Sequence, residues 1–154
     1  MLRTRPSKLR VAMDGAINTA RLSHDAQTQV GAALVKKSSM TTVATGYNGF
    51  VRMAKDDVLP NTRPDKYEYM LHSEVNLLTN CLKNNISITD CMVVVTMTPC
   101  KACTRIMWQA GIETVVCQDA RYTDYAEMMS MRDIEVTESR SPEGFIVLNY
   151  KARA

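Results

Sequence analysis

CMVVVTMTPCKACTRIMWQAG, residues 91–111, is the stretch whose reading decides the fold. Cys91 to Thr96 is an uncharged, largely β-branched run, which fits a strand buried on both faces. Pro99 opens a helix that runs to Ala110, and Gly111 ends it: proline at the start, glycine past the end. Cys100 and Cys103 are three residues apart, so both thiols share one face of that helix. Free N–H groups and the dipole at a helix start favour thiolate over thiol. The stretch therefore reads as a buried strand, a tight turn carrying chemistry, and a helix.

Working outward, Leu9, Met13, Ala16, Ile17 and Ala20 form one stripe and predict an amphipathic helix over 7–23. Ser23-His24-Asp25 breaks it. Val30 to Val35 and Thr41 to Gly46 read as neighbouring strands, with Lys36 to Met40 as their hairpin loop. Residues 48–66 form a long, charged loop, a feature that is often functional in a compact domain. A helix spans 72–84 with Val75, Leu78 and Leu82 inward. Glu113 to Cys117 is a strand, Asp124 to Arg132 a helix, and Ile134 to Thr137 and Phe145 to Leu148 short strands. Strands alternating with helices after residue 72 predict a mixed or parallel sheet with helices on both faces.

The chain has 154 residues, enough for one domain over 1–154 with a core of its own. Net charge is +3 with the basic residues scattered, which argues against a nucleic-acid-binding surface but suits a pocket for a small anion. The five cysteines, an odd number, speak against a disulfide framework. The basic segment Met1 to Arg10 leads into no secretory apolar run, and no stretch approaches a membrane span. The expected setting is cytoplasmic, with reduced thiols. The eleven methionines are read as adaptable core filler and Trp108 as core or interface packing.

His72-Ser73-Glu74, at another helix start, completes the constellation. His72, Cys100 and Cys103 make a three-ligand set, which describes an open, catalytic zinc site. Its free position would hold water, whose pKa zinc brings from about 15.7 to about 7. Glu74, two residues past His72, is a carboxylate placed to carry that water's proton to a leaving amine. Each half has another reading. A lone C-x-x-C after a strand suits a thioredoxin-like redox pair, although that leaves His72 and Glu74 idle. A closed structural zinc site would need Cys91 or Cys117 as fourth ligand. Cys81, Cys91 and Cys117 are otherwise small buried apolar residues. H-x-E followed by P-C-x-x-C is the zinc deaminase signature.

At this point the sequence resembles the deoxycytidylate (dCMP) deaminases of the cytidine deaminase-like superfamily, from about Arg21 to about Val116. The matching stretches are Thr28-Gln29-Val30-Gly31-Ala32, Gly46-Tyr47-Asn48-Gly49, Asp56-Asp57-Val58-Leu59-Pro60, Lys66-Tyr67-Glu68-Tyr69 and the two zinc motifs. The resemblance implies a three-layer α/β/α fold on a mixed five-stranded sheet, usually hexameric. It implies one Zn2+ per chain, since residues 48–71 hold no Cys or His for the second zinc of some relatives. It implies conversion of dCMP and water to dUMP and ammonia, feeding thymidylate synthesis. The backbone of Ala32 would meet the base and Asn48 the sugar, although Tyr47-Asn48-Gly49 also suits a plain turn. Regulation by dCTP and dTTP, with Mg2+ accompanying the triphosphate, would involve Gly49, Asp56 and Asp57, which read equally as a solvated acidic turn. Ser73 stands where alanine is usual, and Asn61 where tryptophan is frequent.

A monophosphate needs a cation and polar donors. Arg21, Arg52 and the pair Arg121-Tyr122 are the candidates. Arg121 and Tyr122 are favoured because ligands gather at the carboxyl ends of strands in such sheets. Ser23 and His24 are a further pair that could face the phosphate, Ser23 chiefly as a cap. Two other functions compete: editing of a base within a nucleic acid, which needs an aromatic, basic groove, and a catalytically silent nucleotide sensor, against which Glu74 and the full ligand set speak.

Overall fold

The computed structural model describes residues 1–122 and 134–153. The helix expected at Asp124 to Arg132 lies outside the described residues. Three α-helices are described, α1 (Lys8–Ala20), α2 (Ser73–Lys83) and α3 (Lys101–Gln109), with a short 3-10 turn at Asp65–Glu68. The strands are β1 (Gly31–Lys36), β2 (Thr41–Tyr47), β3 (Cys91–Met97), β4 (Thr114–Asp119), β5 (Ile134–Arg140) and β6 (Ile146–Ala152). They form one mixed sheet in the order β2-β1-β3-β4-β6-β5. Only β3 and β4 pair in parallel among these; the other neighbours are antiparallel.

The sheet has six strands rather than the five implied by the resemblance. The residue pattern had marked both 134–137 and 145–148. In the structure they lengthen into a hairpin paired continuously from Ile134 opposite Ala152 to Arg140 opposite Ile146. β6 adds to β4, and the mostly exposed β5 forms the polar edge.

The central strands are buried on both faces, as their unbroken apolar runs require. Ala32, Leu34, Val93, Val95, Val115 and Cys117 point toward α2 and α3 and pack with Leu77, Cys81, Met107 and Ile112. Ala33, Val35, Val94 and Val116 point the other way, onto Ala12, Met13 and Ala16 of α1. That is the α/β/α layering. Ser7 caps α1 by accepting the Arg10 N–H at 3.0 Å. Along α1, Met13, Ala16 and Ala20 are buried, while Ile17 turns outward and Ala12 takes its inner place. On α2 the inward residues are Ser73, Glu74, Leu77 and Cys81. Leu78 is partly buried, but Leu82 is 80% exposed. The inner face is rotated from the expected one because two polar residues occupy the buried start of the helix.

Small residues set the layer spacing. A Cβ on Gly31 would lie 1.9 Å from the Ala16 carbonyl oxygen, and one on Gly46 would lie 2.5 Å from the Leu77 nitrogen and 2.8 Å from the Ser73 oxygen. The atoms in the way are backbone, so the helix itself must move. Gly46→Ala is therefore expected to cost about 1–3 kcal/mol, as overpacking does. It should also lower the zinc content per chain, because the displaced turn begins at His72. Denaturant titration and metal analysis check the two effects.

Candidate active site

Two helix starts converge. His72 is the N-cap of α2 and Cys100 the N-cap of α3, both in extended backbone conformation, and neither side chain caps its own helix. Both side chains are thus left for other work. Pro99 precedes the cap instead of occupying the first helical turn, so α3 begins two residues later than the proline suggested. Cys100 Sγ lies 3.3 Å from His72 Nδ1, and Cys103 Sγ lies 3.4 Å from the same nitrogen. All three donor atoms fall within 4.8 Å of one another.

The donor set fits zinc. Bonds of about 2.3 Å to sulfur and about 2.0 Å to nitrogen at a tetrahedral angle place S and N roughly 3.5 Å apart, close to the spacing found. Among the described residues no fourth Cys, His, Asp or Glu joins the cluster. Cys91 and Cys117 are buried in the core, so a closed structural site has no support. The hydrogen bond from Cys103, together with His72, draws the Cys100 thiol down to about 4. The hydrogen bond between His72 and Cys100 raises His72, and the separate hydrogen bond between Cys103 and Cys100, together with burial, pushes Cys103 upward. A thiolate is available before any metal arrives.

Glu74 follows on the buried side of α2, 4% exposed. Burial raises its carboxyl above the ordinary range, and the Ser73 hydroxyl, donating to Oε1 at 2.6 Å, works against that rise. Ser73 is thus in contact with the carboxylate. His72, Ser73, Glu74 and Cys100 line an open cleft.

The walls of the cleft come from distant segments. Gly49 and Leu71 exchange backbone hydrogen bonds of 3.0 and 2.7 Å, closing the long loop at its base and bringing the residue after Asn48 to the residue before His72. Lys66 Nζ reaches both oxygens of Asp25, at 2.9 and 2.7 Å. The side chains of this pair are 4% and 2% exposed. Asp25 also accepts from the N–H groups of Gln27 and Thr28. Burial raises its pKa, but the Lys66 and backbone hydrogen bonds prevail, so the net shift is downward. Asn48 donates to Asp25 Oδ2 and to the Thr28 carbonyl, and accepts from the Val30 N–H at 2.8 Å. Its side chain, and not the turn alone, accounts for the residue.

Of the residues expected at the site, Asn48, Arg121 and Tyr122 line the cleft with Glu74 and two of the three zinc-site residues. Thr98 holds the last two in place: its Oγ1 accepts from the N–H groups of Arg121 and Tyr122 and donates to the Tyr122 carbonyl. Ala32 lies inside β1, paired with Gly46 and Val95, and does not line the cleft; Val30 does. Arg21 is exposed and bonds Asn18. Arg52, Gly49 and Asp56 line a second, more open groove, and Asp57 lies outside both. His24 takes no place in the cleft. Phe50 N–H donates to its Nε2, and its Nδ1 lies 2.6 Å from Asn61 Oδ1, so it ties the two ends of the loop. Ser23 caps Asp25 N–H. Trp108 is partly buried against the core. Sequence reasoning missed Asp25, Arg63 and Thr98 as site residues, and saw Lys66 only as part of a matching stretch.

A family model described as the cytidine and deoxycytidylate deaminase zinc-binding region matches residues 6–119. The chain is 36% identical over 123 residues to deoxycytidylate deaminase of Homo sapiens, covering 76% of this chain and 67% of that protein. It is 34% identical over 123 residues to a probable deoxycytidylate deaminase of Drosophila melanogaster, covering 73% of this chain and 59% of that one. A solved structure of dCMP deaminase from the cyanophage S-TIM5, in complex with dCMP and dUMP, superposes with a TM-score of 0.66 at 26% identity, covering 83% of this chain and 93% of that one.

Proposed function

The chain belongs to the cytidine and deoxycytidylate deaminase family, and from that premise we propose that it hydrolyses dCMP to dUMP and ammonia. One observation carries the reading: a buried Glu74 beside the His72, Cys100 and Cys103 cluster, at the floor of an open cleft lined by polar and cationic side chains. His72 through Nδ1, and Cys100 and Cys103 through Sγ, are the residues that would hold the metal. Zinc, when bound there, supplies Lewis acidity that makes water a competent nucleophile near neutral pH.

The residues do the remaining work. Glu74 takes a proton from the attacking water and delivers it to the departing amine, so that C4 exchanges its C–N bond for a C–O bond. Burial keeps this carboxyl away from bulk water, where its proton would be lost to solvent. Asn48 and the 28–30 segment hold the nucleoside, their geometry set by Asp25. Arg121 and Tyr122 stand where strand β4 ends and the phosphate side of the cleft opens. We assign the regulatory triphosphate, dCTP or dTTP, to the second groove, where Gly49 and Asp56 lie near Arg52 and Lys83.

Purified protein with quantified zinc should release ammonia from dCMP faster than from dCTP or cytidine. Chelation should abolish turnover and added zinc restore it. Absence of turnover on all three with zinc bound, and with dCTP added as activator, would overturn the reading. Among the described residues no helix is long and apolar enough to cross a membrane.

A further inference from the structure

Three cationic side chains line the cleft: Arg63, Lys66 and Arg121. If the site takes a nucleoside monophosphate, one or more of them must face a phosphate. Lys66 is committed. Its ammonium holds both oxygens of Asp25 in a nearly dry pair, and drawing it away would strand that carboxylate. Arg121 stands at the exposed rim, where water weakens its pull.

Arg63 is different. Its guanidinium is anchored by neutral acceptors only, Nη2 to Thr28 Oγ1 at 2.6 Å and Nη1 to Gln27 Oε1 at 3.3 Å. Its backbone N–H also donates to Gln27 Oε1 at 2.9 Å, so the residue is held at both ends. Among the described residues it forms no ion pair. Its Nε is buried and has no hydrogen-bond partner. A charged donor removed from water without an acceptor is costly, and the guanidinium is left short of acceptors, which an anion in the cleft would supply once the side chain turned toward it. The fork is also preset by Thr28 and Gln27, so little freedom is lost when it binds.

We propose that Arg63 is the specificity-determining residue that selects a 5′-monophosphate over the free nucleoside, with Arg121 assisting from the rim. This rests on the deaminase reading. The phosphate takes up the unused N–H donors of Arg63, and a nucleoside leaves them bare, so the two substrates differ by a charge-assisted hydrogen bond.

The test compares kcat/KM for dCMP and for deoxycytidine in the wild type, Arg63→Met and Arg63→Lys, with zinc content and Tm recorded for each. The ratio of the two values should fall roughly 10- to 100-fold in Arg63→Met, the span of a charge-assisted hydrogen bond. Arg63→Lys, which keeps the charge and loses the fork, should fall between. Inorganic phosphate should inhibit the wild type competitively and Arg63→Met much less. An unchanged ratio would overturn the proposal: with equal losses on both substrates Arg63 only supports the wall of the cleft, and with no loss on either it plays no part in binding. If the wild type shows no preference for dCMP, the deaminase substrate assignment fails first, which separates that failure from this one.

Discussion

Glu74→Gln should lose at least ~10²–10⁴ of kcat on dCMP, the usual worth of a placed general acid–base group, while keeping about one zinc per chain. The amide has the shape of the carboxyl and still accepts the Ser73 hydroxyl through its oxygen, so the start of α2 should not move. What it lacks is a carboxyl proton to take and return. Because Glu74 is almost wholly buried, exchanging an ionisable group for a neutral amide should leave Tm unchanged or raise it. Turnover followed by ammonia release, beside metal analysis and thermal unfolding, separates loss of chemistry from loss of the site. Near wild-type turnover in this variant would remove Glu74 from the mechanism.

The second large effect is on stability. Lys66→Met leaves Asp25 a buried carboxylate without its cation, a change expected to cost about 3–5 kcal/mol and so to lower Tm by roughly 6–20 °C in a chain of this size. The pH dependence follows from the direction of the Asp25 shift. Its pKa in the folded protein lies below the unfolded value, so it contributes stability above the unfolded pKa that is lost as pH falls through the folded one. Removing Lys66 takes away the main opposition to burial, and the acid-unfolding limb should move to higher pH. Pairing Lys66→Met with Asp25→Asn removes the stranded charge and should recover much of the loss. Denaturant melts across acidic and neutral pH check all three statements, and equal stability of the single and double variants would show that the pair carries no such weight.

The two variants also mark how far the sequence could be read. His72, Glu74, Cys100 and Cys103 were legible because metal and proton chemistry demands particular residue types at short, fixed spacings. The central strands were legible because burial on both faces leaves no room for polar alternation. The Asp25–Lys66 pair spans 41 residues, and nothing in either local stretch announces the other. The inner face of α2 was misjudged for the same reason that its function was found: Ser73 and Glu74 are polar, and apolar periodicity assigns such residues to solvent. Arg63 was overlooked because a single arginine in a long charged loop carries no pattern; only the fold shows it facing the cleft. The sixth strand was visible in the residues but not in the resemblance, which describes a family frame and not this chain's edge.

The two helix starts that carry His72 and Cys100 have a consequence for anyone who selects variants by robustness. Serine, threonine, aspartate or asparagine at either position would satisfy an orphan N–H and strengthen its helix by about 1 kcal/mol. A library screened for survival on heating, in the absence of metal, would therefore enrich substitutions at the two places where they extinguish the enzyme. Thermal ranking and catalytic ranking should run in opposite directions there.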